Sequence, residues 1–426
     1  MNHKRNEKIN QITDDTLVVG IDIAKETHYA CPLDDRGREL VRKAVPFKQS
    51  REGFIAFRLQ VEEWMERFEK KRVLIGFEPT GHYWMNLGVY LLEVDLPFVQ
   101  VHPKHVKNTQ EFDDNIQAKN DSKDARLIAK LMVNGSYFYP RIPEGFQAEL
   151  RNGSTMRWRL KKDIARLKNQ MIRWIDQYFP EFKLVFKDFK KLACITLKYT
   201  PLPGDLLRHD VEELARIYKE DGDIQRVAKK TIRKAQTVAR QSIGLTEGVE
   251  LARLEMQSLV TQFLLLERQL EEVNQRMEEL VKQFDEFEYL ASIPGISEHT
   301  IMDLLAETGS LKQYQHPRQL VKLAGLTLRQ NTSGKYEGQT TISKRGRKRL
   351  RCLLFKAILP LLRNNGAFHE LYQYYITRPV NPLKKKEAMV VLCGKLLKIF
   401  HGLSKHKNYF HEERMKQDLH CLKQAA

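Results

Sequence analysis

The sequence predicts an α/β domain with a mixed sheet, followed by a mainly α-helical region containing a coiled coil and then an α-helical C-terminal domain. Three observations support this. Short β-branched runs alternate with helical periodicity from Thr16 to about Gly135, helical patterns dominate beyond it, and apolar residues recur in steps of four and three from Ala252 to Phe284. With 426 residues, 42% of them hydrophobic, the chain is long enough for roughly two or three domains with a sizeable core.

In chain order, TLVVGIDIA (16–24), THYACPLDDRG (27–37) and ELVRKAVPF (39–47) read as three strands joined by tight turns. GFIAFRLQVEEWMERF (53–68) is helical, with Phe54, Phe57, Leu59, Val61, Trp64 and Phe68 as its apolar positions. RVLIGFEPTG (72–81) is a buried strand, HYWMNLGVYLLEV (82–94) a helix, PFVQVHP (97–103) a strand, and KNDSKDARLIAKLM (119–132) opens the next helix. The expected division is a flexible N-terminus at 1–15, an α/β catalytic domain at 16–145, basic helices at 146–245, a coiled coil at 246–288, a C-terminal domain at 289–410 and a tail at 411–426.

In the basic region, Trp158, Ile164, Leu167, Met171 and Trp174 fall along one side of a helix and read as core positions. The Lys and Arg around them suit either solvent or phosphate. The seam from Ala252 through Met256, Leu259, Phe263, Leu266, Leu270, Val273, Met277 and Leu280 to Phe284 fits a helical hairpin within one chain or a junction between two chains; self-association is expected. Beyond it, a Pro-Gly turn at Pro294 and Gly295 separates two helical segments and could offer backbone N–H groups to a phosphate. The segment 322–351 is loop-like. Its basic run Lys344, Arg345, Arg347, Lys348, Arg349 and Arg351 has no acidic residue from Gln339 onward and is a candidate for nucleic-acid contact.

Lys and Arg number 72 against 54 Asp and Glu, a net charge of +18 that suits a polyanionic partner, nucleic acid first. An anionic membrane would attract the same charge, but the most apolar runs, 352–362 and 388–400, are interrupted by Lys and fall short of the roughly 18 apolar residues of a spanning helix. The N-terminus has no apolar signal region, so a cytoplasmic location is expected. Cys31, Cys194, Cys352, Cys393 and Cys421 lack the paired spacing of a zinc site or a disulfide framework.

Asp22 and Glu78 each stand at the end of an apolar strand, and Asp121 and Asp124 share one face of a helix start. One reading makes each a cap or ion-pair partner. The other brings all four together, where their mutual repulsion calls for a divalent cation; Mg²⁺ suits an all-carboxylate set and phosphodiester chemistry.

GIDIAK (20–25), FEPTGHYW (77–84) and KNDSKDA (119–125) resemble the three motifs of the RuvC-like, RNase H-like DEDD domain of IS110-family transposases, including the IS1111 subgroup. SIPGISEHT (292–300), KLAGLTLRQNTSGK (322–335) and ISKRGRKRLR (342–351) are similar to that family's C-terminal transposase domain. The resemblance implies that Asp22, Glu78, Asp121 and Asp124 hold Mg²⁺. It also implies that Ser333, matched by the TSGK segment, attacks DNA and forms a phosphoserine link. The residues alone do not choose Ser333 over Thr327, Thr332, Thr340, Thr341 or Ser343. A non-coding bridge RNA pairing with donor and target DNA, and a homo-oligomer from dimer to tetramer, follow from the same resemblance. The segment 125–292 is long for the family, and Pro79 stands where a small residue is common. The alternatives are a metal-dependent, structure-specific endonuclease that uses water, and a non-enzymatic nucleic-acid scaffold.

Overall fold

The computed structural model describes residues 3–113, 121–220, 222, 227–329, 332–333, 336–338 and 340–417. The chain divides into two compact units, Met1–Ile142 and Pro143–Ala426.

In the first unit the order is α1 (His3–Asn10), β1 (Thr16–Asp22), β2 (Thr27–Leu33), β3 (Val45–Lys48), α2 (Arg51–Arg67), β4 (Arg72–Phe77), α3 (Trp84–Glu93), β5 (Phe98–Val101), α4 (Pro103–Asp113), α5 (Asp121–Val133) and β6 (Tyr137–Phe138). The six strands form one mixed sheet in the order β3-β2-β1-β4-β5-β6. β4 is parallel to β1 and β5, while β2, β3 and β6 pair antiparallel with their neighbours.

Because side chains alternate across a strand, Leu17, Val19 and Ile21 join Ile75 and Phe77 in a core under α2 and α3. Val18 joins Val99, Val101, Ala125 and Ile128 in a second core on the other face, under α5. Ser50 caps α2, its hydroxyl accepting from the Gly53 N–H at 3.1 Å. Along α2, Phe54, Phe57, Val61 and Trp64 are buried, but Leu59 is 53% exposed because it falls outside their stripe. Two elements depart from the expectation. His3–Asn10 is helical rather than unstructured: Arg5 Nε donates to the Asn134 carbonyl at 2.8 Å and Lys8 Nζ to that of Tyr137. α4 follows β5 directly, opened by Pro103, a residue that suits the first turn of a helix.

The second unit begins with α6 (Gly145–Tyr178), a 34-residue helix. Five shorter helices follow: α7 (Phe182–Val185), α8 (Lys191–Tyr199), α9 (Pro203–Leu207), α10 (Val211–Glu220) and α11 (Lys229–Ala239). α12 (Val249–Val281) then runs back antiparallel along α6. Trp174 Nε1 donates to the Ala252 carbonyl at 2.8 Å near one end of the pair, Lys168 faces Glu267 at 3.4 Å, and Arg157 Nε donates to Asn274 Oδ1 at 2.8 Å near the other.

The apolar seam of α12 is therefore covered within the chain. Ala252, Met256, Leu259 and Phe263 enter a core with Ile164, Leu167, Met171, Trp174 and α7–α11. Met277 and Leu280 enter a second core with Leu150 and the C-terminal helices. The expectation that this seam joins two chains is corrected to that extent: α6 carries a matching stripe, and joining the two strips within one chain avoids the entropy of association.

The C-terminal helices are α13 (Phe287–Ala291), α14 (Glu298–Thr308), α15 (Pro317–Leu323), α16 (Lys348–Asn364), α17 (Gly366–Thr377) and α18 (Lys385–His406). Between α15 and α16 lie β7 (Leu328–Arg329), β8 (Thr332–Ser333), β9 (Tyr336–Glu337) and β10 (Thr341–Ile342); β7 pairs with β10 and β8 with β9. Among the described residues no helix is long and apolar enough to cross a membrane.

Candidate active site

β1 and β4 run in parallel with Gly20 opposite Gly76 and Ile21 opposite Phe77. Asp22 is the last residue of β1, and Glu78 follows β4 by one residue. Strand alternation puts Asp22 on the same face as Gly20, and an extended continuation of β4 does the same for Glu78 and Gly76.

That face is the one under α5, and glycine lets the helix reach it. A Cβ on Gly20 would lie 2.2 Å from the Ala125 carbonyl oxygen, and one on Gly76 would lie 2.2 Å from Met132 Sδ. α5 thus rests on strand backbone, and Asp124 immediately precedes the residue that touches Gly20. Arg126 of this helix ion-pairs with Glu39 at 2.9 Å. Asp22, Glu78 and Asp124 are half-buried, and each has partners in the fold. Asp121 opens α5, but its side chain lies outside the described residues. Among the described residues no three His, Cys, Asp or Glu side chains are grouped as metal ligands. The donors on this face are carboxylate oxygens, which suit a hard cation such as Mg²⁺.

A polar chain on the opposite face of the sheet, where His28 packs against Phe47 and Phe54, was missed in the sequence. His28 on β2 accepts the Ala24 N–H at Nδ1 (3.2 Å), and its Nε2 lies 2.6 Å from Gln49 Oε1. Gln49 Nε2 in turn donates to the Tyr83 carbonyl at 2.7 Å. With Nδ1 accepting, Nε2 carries the proton toward Gln49, so the ring is a neutral spacer. Burial pushes its pKa below the ordinary value, against the opposing hydrogen bond that the ring donates to Gln49. The chain ties the loop after Asp22 to the turn after Glu78. His28 interrupts an apolar strand at a buried position, and that was the available signal.

In the second unit, Ser333 ends β8 opposite Tyr336; its side chain lies outside the described residues. Two alternative hydroxyls are engaged with each other: Thr327 Oγ1 and Ser343 Oγ are 3.1 Å apart, and Ser343 Oγ also donates to the Gly325 carbonyl at 3.4 Å. The basic run divides. Arg349 donates to Thr155 Oγ1 at 2.9 Å and to the Ser154 carbonyl at 2.8 Å, and it pairs with Glu307 at 3.2 Å. Arg347 also reaches Glu307, at 3.7 Å, and Arg351 donates to the Ala324 carbonyl at 2.8 Å. Lys344, Arg345 and Lys348 are exposed. The Pro-Gly turn has a structural role too: Gly295, at φ +91°, packs within 3.1 Å of the Pro360 carbonyl on α16 when a Cβ is placed on it. Ser297 caps α14, accepting from the Thr300 N–H at 3.3 Å.

Comparison with known proteins gives two matches in chain order. A DEDD transposase model of the IS110 type matches residues 19–180, and one described as Transposase IS116/IS110/IS902 family matches residues 287–373. The transposase for insertion sequence element IS1111A of Coxiella burnetii is 23% identical over 82% of this chain and 79% of its own. The insertion element IS116 uncharacterized 44.8 kDa protein of Streptomyces clavuligerus is 25% identical over 93% and 96%, respectively. The pilin gene-inverting protein of Moraxella lacunata is 27% identical over 92% and 97%. Two family models in sequence, flanking the long helical middle, and relatives that span both place this chain in the IS110/IS116 family of transposases.

Proposed function

We propose that the chain is an RNA-guided, site-specific DNA recombinase of an insertion sequence, acting in the cytoplasm as a homo-oligomer of two to four copies. In this reading a bridge RNA pairs with donor and target DNA, and the first unit is a RuvC-like, RNase H-like domain. The observation that carries the proposal is the in-register pairing of β1 and β4, which sets Asp22 and Glu78 at neighbouring strand ends on the face covered by α5. Relatives named for transposition and for pilin gene inversion both rearrange DNA, which supports recombination over simple cleavage.

Asp22, Glu78, Asp121 and Asp124 would hold Mg²⁺, which when bound supplies charge neutralisation at the scissile phosphate. Ser333 attacks phosphorus: the Oγ–P bond forms as the bond to one deoxyribose oxygen breaks, Oγ loses its proton, and the leaving oxygen gains one. The freed hydroxyl of one strand then attacks the partner's phosphoserine, regenerating the serine and joining the exchanged strands. Ser333 is favoured over Thr327 and Ser343 because those two hydroxyls bond each other. Lys344, Arg345 and Lys348 are the members of the basic run best exposed to phosphates.

The test is trapping of a protein–DNA adduct under denaturing conditions. The wild type is expected to form it, and Ser333→Ala and Asp124→Asn to lose it. Cleavage that persists in Ser333→Ala without an adduct would assign the chain to the endonuclease reading instead.

A further inference from the structure

A cavity of about 280 Å³ opens between α6, α14 and α16, lined among others by Trp158, Lys161, Lys162, Asp303, Arg349 and Lys356. Its charges are unequally matched. Asp303 is taken by Arg157 at 2.5 Å and by the Ser154 hydroxyl at 2.9 Å, and Glu307 by Arg347 and Arg349. Lys161, Lys162 and Lys356 remain, and among the described residues none of them lies within ion-pair distance of a carboxylate. Burial, then neighbouring Arg157, lowers the pKa of Lys161, Asp303 opposes the shift and Lys356 adds to it; a bound anion would relieve the remaining repulsion. Trp158 is half-buried but belongs to neither core of this unit. The Arg349 guanidinium and the Lys356 ammonium each lie 5.7 Å from its ring centre.

An indole with cations over its ring, in a cavity where lysines and arginines outnumber Asp303 and Glu307, is the chemistry that takes an aromatic base and its phosphate together. At about 280 Å³ the cavity falls just below the usual range of ligand pockets, about 300 to 1,000 Å³, and admits one base rather than a helix. A paired base presents no free face, so only an unstacked one can reach the ring. We infer that this cavity is a subsite for a single unpaired nucleotide, with its base against Trp158 and its phosphate among Lys161, Lys162 and Lys356. The inference rests on the nucleic-acid reading above and adds a second contact point, separate from Ser333.

The experiment titrates the full-length protein with ten-residue oligo(U), ten-residue oligo(dT) and a ten-base-pair duplex, reading fluorescence anisotropy of the labelled strands and quenching of tryptophan emission. Trp158→Ala is expected to weaken single-strand binding about tenfold and leave duplex binding unchanged. Trp158→Phe, which keeps a ring and tests against simple misfolding, retains most of the affinity but loses part of the quenching. A loss confined to oligo(U) assigns the nucleotide to RNA, and one confined to oligo(dT) assigns it to an opened DNA strand; either supports the subsite. Wild-type affinity of Trp158→Ala for both single strands, or an equal loss on the duplex, overturns it. Failure here with the Ser333-dependent adduct intact removes only the subsite. Trp158-dependent binding without any adduct removes only the recombinase.

Discussion

At the scale of single residues, the glycines under α5 and the buried His28 make the sharpest claims. A methyl on Gly20 meets backbone at Ala125, which cannot move without the helix, whereas a methyl on Gly76 meets the flexible Met132 thioether. Gly20→Ala is therefore expected to cost about 1–3 kcal/mol in urea denaturation, and Gly76→Ala measurably less; the reverse order would show that α5 does not seat on β1 as described. His28 gives a pH dependence. Its pKa is lowered in the folded state from the ordinary 6.5, so the unfolded chain binds a proton that the folded chain excludes. Stability contributed by the neutral ring is present above pH 6.5 and is lost as pH falls through and below it. Thermal melts between pH 7.5 and 5.5 should show that acid-side loss in the wild type and a smaller one in His28→Gln.

At the scale of elements, half of the basic run works inside the fold. Arg349 fastens α16 to α6 and to Glu307 of α14, so Arg349→Ala is expected to destabilise the protein by about 2–4 kcal/mol, leaving Glu307 short of a partner. Replacing Lys344, Arg345 and Lys348 together by Gln should leave the melting temperature in place while weakening DNA binding and flattening its salt dependence, as checked by anisotropy at several ionic strengths. A run of Lys and Arg cannot show this division in advance, because carboxylate partners such as Glu307 stand 40 residues away from Arg347. Other elements were legible for local reasons. An acidic residue closing a short apolar run located the strand ends at Asp22 and Glu78, and the steps of four and three located α12. The α12 pattern did not name a partner, since any matching stripe satisfies it, and α6 supplied one. α1 escaped notice because His3–Asn10 has little apolar periodicity, and it is held instead by Arg5 and Lys8 reaching residues about 130 positions on. Of the His28, Gln49 and Tyr83 chain only the polar residue within an apolar strand was legible, because its bonds exist only once the sheet has formed.

At the scale of the whole molecule, each unit has its own hydrophobic cores, two in Met1–Ile142 and two in Pro143–Ala426. Gly20→Ala should accordingly lower the calorimetric transition of the first unit and leave the other in place; a uniform downward shift would mean that the two unfold as one. Within the second unit, the α6 and α12 pair joins a helical head, α7–α11, to the C-terminal helices. With 34 residues, α6 extends about 50 Å at about 1.5 Å per residue. The pair is thus a caliper whose opening is counted in residues. Inserting seven residues into both arms at matched levels would move the head about 10 Å further out with little rotation, so the reach of this protein along its substrate is a length that can be set and measured.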